Sequence, residues 1–159
     1  MEEVVLQYLV FGASVSVFSW IVGLILIFPL AKSAYYQRLQ HLNFIPSATV
    51  NRYMGIWIFR WIVRDTPFRF FNPTIRLTSG RADLARVRDA MTHAEISHLI
   101  GFFAVVLVAL YMSVTTSWLL GLMIMMANTL LNLYPSLLQQ ENKRRIDRLI
   151  ARGPGAARS

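Results

Sequence analysis

The sequence predicts an all-α, polytopic membrane protein with three transmembrane helices and an interfacial amphipathic helical segment. Three observations carry this. Of 159 residues, 55% are hydrophobic and only 15% are charged, against about a quarter charged in an ordinary soluble domain. Three apolar runs free of Asp, Glu, Lys and Arg reach the roughly 20 residues a helix needs to cross a hydrocarbon core. All 16 Lys and Arg residues fall in the two segments that three crossings place on one side. The same composition excludes a disordered chain, which needs low hydrophobicity. The absence of Cys excludes a disulfide-stapled domain, a CxxC redox enzyme and a cysteine zinc site.

The first run is Val4–Ala31, with Gln7 its strongest polar group. A cleaved signal peptide starts with positive charge and has an apolar core of about 7–15 residues. This run is longer and is preceded by Glu2 and Glu3, so a retained helix is expected. The second run is Ile96–Val114, with His98 its single ionisable group, and the third is Ser117–Leu138, with Asn128 and Asn132 inside it. The bias of basic residues makes their side cytoplasmic. The N-terminus is then outside, the C-terminus inside, and the location a cytoplasmic membrane. The formal charge of +8 fits anionic lipid headgroups rather than nucleic acid.

The cytoplasmic and interfacial segment, 32–95, is not one loop. Tyr35 and Tyr36 stand at interface depth, and Pro46 marks a turn in Asn43–Thr49. Arg52–Arg64 reads RYMGIWIFRWIVR, which is the pattern of a helix lying in the headgroup plane. Pro67 ends it, and Phe68–Pro73 forms a second interfacial contact. Arg81–Thr92 is a charged helix running on into the second span. Residues 1–152 then make a single membrane domain, and 153–159 a disordered tail.

The polar residues of the second and third spans fall at matching depths. The short Tyr111–Trp118 connection makes these helices an antiparallel hairpin. Counting outward from a turn centred near 115–116, at about 1.5 Å per residue, brings His98 level with roughly residue 133, beside Asn132. Glu95 and His98 share a helix face. Asn128, Asn132, Pro135, Gln139 and Asn142 form one stripe at spacings of 4, 3, 4 and 3. Amides facing lipid would be left without partners, so the stripe should meet the Glu95/His98 face near the inner boundary of the membrane. Such groups often do no more than join helices, which is the natural reading of Asn128. Ionisable groups within a membrane point further, to function.

The stretch has one Glu-x-x-His, and no second motif or further Glu in a membrane run to complete a di-metal site. No metal is therefore expected. P-loop, GxGxxG and GxSxG motifs are absent. His98 fits a general base acting on a bound hydroxyl, and Asn132 or Gln139 a donor to an oxyanion.

Ala94-Glu95-Ile96-Ser97-His98, followed by an apolar helix, is similar to the A-E-x-x-H signature of the glycosyl-4,4′-diaponeurosporenoate acyltransferase family. Asn132-Leu133-Tyr134-Pro135, with Gln139, Asn142 and the basic run Lys143-Arg144-Arg145, resembles that family's N-x-Y-P-x-x-x-Q-R-Y-N-R-x-R ending. His93 stands at the family's basic position before A-E, and Gln140-Glu141 replace its Arg-Tyr. The resemblance implies transfer of a fatty acyl group to a hydroxyl of a glycosylated carotenoid or similar lipid. It carries over Glu95, His98, Asn132, Gln139, Asn142 and Arg145. His98 would be the base, supported by Glu95. Lys143, Arg144 and Arg145 would attract a phosphate-bearing donor such as acyl-CoA. No cofactor is implied beyond acyl-CoA or another acyl donor as co-substrate. The partners are membrane lipids and a lipid or glycolipid substrate. The alternative is a non-catalytic accessory subunit that docks a partner helix through the polar stripe.

Overall fold

The computed structural model describes residues 2–39 and 81–152, together with Gly55. The interfacial helix expected over Arg52–Arg64, the contact at Phe68–Pro73 and the tail 153–159 lie outside them. The described chain is all helical: α1 (Glu2–Ala31), α2 (Ala34–Leu39), α3 (Arg81–Thr115), α4 (Trp118–Asn128), a π-turn (Thr129–Leu133) and α5 (Tyr134–Arg152). Three helical stretches are long and apolar enough to cross a membrane, Glu2–Ala31, Leu84–Thr115 and Trp118–Ala151. The charged stretch before the second run is continuous with it, as its spacing predicted. The third helix continues well past Leu138 to Arg152, because no Pro or Gly follows Pro135 within that stretch.

Each joint has a local cause. Pro29 lies in the last turn of α1, and the chain then closes through Ser33 N–H to the Leu30 carbonyl at 2.9 Å. Ser33 also caps α2, its Oγ accepting from the Tyr36 N–H at 3.3 Å. At the α3–α4 hairpin, the N–H groups of Thr116 and Ser117 both donate to the Met112 carbonyl. Ser117 is extended, and its Oγ accepts from the Leu119 N–H at 3.2 Å, satisfying one orphan donor of the new helix. Ser117→Ala should therefore cost about 0.5–2 kcal/mol. A lowered thermal midpoint in detergent would register it, and an unchanged midpoint would rule this cap out as a stabilising element.

The helices form one bundle in which α1 packs on α3 and α4, and α3 packs on α4 and α5. Val105, Ala109, Leu120 and Ile124 fill one end of the core. Ile27, Tyr36 and Ile96 fill the other. The outward face of α1 leaves Phe18, Ile21, Ile25 and Phe28 more than half exposed, an apolar patch suited to acyl chains rather than water. The inward face carries Gly12, Ser16, Ser19 and Gly23, all buried. Small residues at this spacing let backbones approach closely. A Cβ on Gly12 would lie 2.8 Å from the Ile124 Cα, and one on Gly101 would lie 2.9 Å from Ser19 Oγ.

Candidate active site

Between the two apolar ends lies a polar layer contributed by all three spanning helices. Its deepest part is an amide–hydroxyl chain. Asn128 Nδ2 donates to the Phe102 carbonyl at 3.0 Å. Asn132 Nδ2 donates to Asn128 Oδ1 at 2.8 Å and to Ser19 Oγ at 3.0 Å. Ser19 Oγ passes its own proton to the Ser16 carbonyl at 2.6 Å. Asn128, Asn132 and Ser16 are fully buried, where an unpartnered amide would cost a few kcal/mol. The interhelical bonding read for Asn128 is present.

The π-turn sets the rest. Pro135 has no N–H to give the carbonyl four residues back, and its ring crowds that carbonyl. That residue is Leu131, in the middle of the π-turn. Its oxygen accepts instead from the Trp20 indole N–H of α1 at 3.3 Å. A π-turn takes up an extra residue, so the buried face beyond it is shifted by one position. The buried polar series is Asn128, Asn132, Ser136, Gln140 and Lys143. The regular 3.6-residue period had selected Pro135, Gln139 and Asn142. Gln139 and Asn142 are only half-buried, and Arg145 is exposed and pairs with Glu141 at 3.5 Å.

Glu95 is fully buried. Its Oε1 accepts from Gln140 Nε2 at 2.8 Å, and its other oxygen forms an ion pair with Lys143. Lys143, expected at a phosphate, is thus a buried counter-ion instead. Glu95, expected behind His98, points to α5. Arg88 and Asp147 clip the same two helices closer to their ends, at 2.5 Å.

His98 has other neighbours. Its ring meets Trp20 edge-on at 5.9 Å, and its side chain interacts with Asn132. His98 Nδ1 and Asn132 Oδ1 are both buried without a partner at hydrogen-bonding distance among the described residues. The depth match between 98 and 132 read from the hairpin therefore holds. The ring borders a groove of about 490 Å³ between α1 and α3. Trp20 and Leu24 form its α1 wall, and Ala90, Ala94 and Ser97 its α3 floor. His93 also lines it. The His93 ring sits against Phe28 at 6.2 Å and Tyr36 at 6.1 Å. The Tyr36 hydroxyl is buried without a partner among the described residues. Burial holds this phenol above its usual value, and Asp89 and Glu95 push the same way. It is therefore a neutral proton-bearing group beside His93.

Among the described residues no group of His, Asp and Glu could hold a metal ion. Ser19 and Trp20 had no part in the sequence reading of the site. The spacing of Gly12, Ser16, Ser19 and Gly23 was the signal available. Gln140 had none, because only the π-turn turns it inward.

These features define a class: a helical protein with three membrane-capable helices, a polar layer buried between them, and an open groove edged by two imidazoles. The chain belongs to the glycosyl-4,4′-diaponeurosporenoate acyltransferase family, whose model matches residues 32–152. The match takes in α2 to α5, while Ser19 and Trp20 lie on α1, outside it. No curated protein and no solved structure matches the chain significantly.

Proposed function

We propose that the protein is a membrane acyltransferase that moves a fatty acyl group to a hydroxyl of a glycosylated carotenoid or a similar lipid. The observation that carries this is the placement of His98, with Nδ1 buried, the side chain beside Asn132, and the residue lining the groove. In the tautomer that keeps its proton on the buried Nδ1, the Nε2 lone pair is left for a substrate. Nε2 takes the proton of the acceptor hydroxyl as its oxygen attacks the acyl carbonyl. The new C–O bond forms, the tetrahedral intermediate collapses, and the donor's leaving group departs with the electron pair. Both protons of the Asn132 amide are engaged in the chain to Asn128 and Ser19, so Asn132 serves as a positioning residue rather than an oxyanion donor. Glu95, Gln140 and Lys143 fix α3 against α5 and so hold the depth of His98. The basic bias supports a reading in which the groove's inner end lies at the cytoplasmic leaflet of the cytoplasmic membrane, with the N-terminus outside.

The test is His98→Ala and His98→Gln in membranes supplied with glycosyl-4,4′-diaponeurosporenoate, the acylated product being weighed by mass spectrometry. Loss of a base should lower the rate by about 10²–10⁴, with the thermal midpoint unchanged. Product within threefold of the parent would end the catalytic reading and leave the docking-subunit alternative.

A further inference from the structure

The groove is open along its length rather than closed into a chamber, and the direction it faces can be read from α1. Trp20 and Leu24 form its wall. The residues next to them, Ile21, Ile25 and Phe28, are 54, 62 and 65% exposed. On a membrane-spanning helix that exposure is to acyl chains, so the mouth of the groove opens sideways into lipid. Its α3 floor is made of small residues, Ala90, Ala94 and Ser97. From Ala90 to His98 it runs about 12 Å at 1.5 Å per residue, a track for an extended chain. None of the described lining residues is Lys or Arg. Two described basic groups of similar depth are committed elsewhere, Lys143 to Glu95 and Arg88 to Asp147.

The two imidazoles bear on the leaving group. A thiolate leaves unaided, since thiols have pKa values of about 8.5. An alkoxide, whose parent alcohol is a far weaker acid, comparable to water, needs a proton as it departs. His93 and His98 line the same groove, about 7.5 Å apart along the helix axis. That is room for one to take a proton and the other to give one on either side of a tetrahedral carbon. Packing of His93 against Phe28 and Tyr36 fixes its ring.

We propose that the acyl donor is an ester lipid of the surrounding membrane, entering sideways between α1 and α3, and that His93 protonates its leaving alkoxide. This rests on the acyltransferase reading above and names its donor. The reaction is a transesterification. The acceptor oxygen forms a bond to the acyl carbon, the donor's C–O bond breaks, and a lysolipid hydroxyl is released. His98 gains the acceptor's proton, His93 gives one to the departing oxygen, and net transfer of a proton from His98 back to His93 resets the pair, so no proton is gained or lost overall. No oxidant, reductant or activated co-reactant is needed.

The full-length protein is reconstituted with glycosyl-4,4′-diaponeurosporenoate in three kinds of vesicle. The first holds phosphatidylglycerol with deuterated ester-linked chains. The second holds its acylthio analogue. The third holds diether phosphatidylglycerol, with deuterated acyl-CoA added outside. The proposal expects labelled product and equimolar lysolipid in the first two, and at least tenfold less product in the third. His93→Gln should lower transfer from the ester by about 10²-fold or more and from the acylthio lipid less than threefold. A structural role for His93 would lower both alike, and that result would overturn its assignment as the acid. Product from acyl-CoA alone would overturn the lateral donor while leaving the acyltransferase reading intact. No product from any donor would overturn both.

Discussion

Glu95→Ala is expected to destabilise the bundle by about 3–5 kcal/mol, because it strands the Lys143 ammonium in a buried site. The carboxylate is fully buried, and Lys143 is 4% exposed. One carboxylate oxygen holds Gln140 and the other holds Lys143, so a single truncation unpartners two groups on α5. Solvent reaches neither, and the membrane offers no replacement. The double variant Glu95→Leu with Lys143→Met removes both charges and keeps the volume. It should recover most of the loss, since a buried ion pair is often replaced by apolar residues at little cost. The measurement is unfolding in mixed micelles, comparing single and double variants as a cycle. If Glu95→Ala and the double variant unfold together with the parent, the pair contributes nothing and the account of how α3 is fixed to α5 fails.

Gly23→Ala should cost about 1–3 kcal/mol as overpacking and should impair acyl transfer at the same time. A Cβ at Gly23 runs into the carbonyl oxygen of Ser97 and lies 3.0 Å from its carbonyl carbon. Backbone cannot rotate away as a side chain can, so α1 and α3 must separate. Those helices are the two walls of the groove, and Ser97 stands next to His98. Separation would also draw Trp20 from His98 and from the Leu131 carbonyl. Val22→Ala, on the outward face beside it, is the control that should leave both quantities near the parent. Normal turnover and an unchanged midpoint for Gly23→Ala would mean that the close approach of α1 to α3 does not shape the site.

The readable part of the site was the part that obeys regular periods. The α3–α4 turn is short, so residues equidistant from it share a depth, and this brought His98 to Asn132. Asn128 and Asn132 lie before or within the π-turn, where the count from the turn still holds. Past Leu133 the count slips by one, and Gln140 and Lys143 take the places assigned to Gln139 and Asn142. Pro135 is the cause and is visible in the sequence. Whether a proline kinks, breaks or widens a helix depends on which donor can reach the displaced carbonyl. Here that is Trp20, more than a hundred residues away in the chain. The spacing of Glu95 and His98 placed them on one helical face, and both reach the third span, but Glu95 meets Gln140 and Lys143 while His98 lies between Asn132 and Trp20 of α1.

Apolar length, the bias of positive charge and the hairpin turn are local properties of the chain, and they alone determined an all-helical protein with three membrane-capable helices and a polar layer between them. Tertiary structure decided which side chains compose that layer and where the groove opens. Partner choice in a dry interior follows from which donor and acceptor can be brought within bonding distance. That distance was set by the close approach of α1 to its neighbours at Gly12 and Gly23 and by one widened turn.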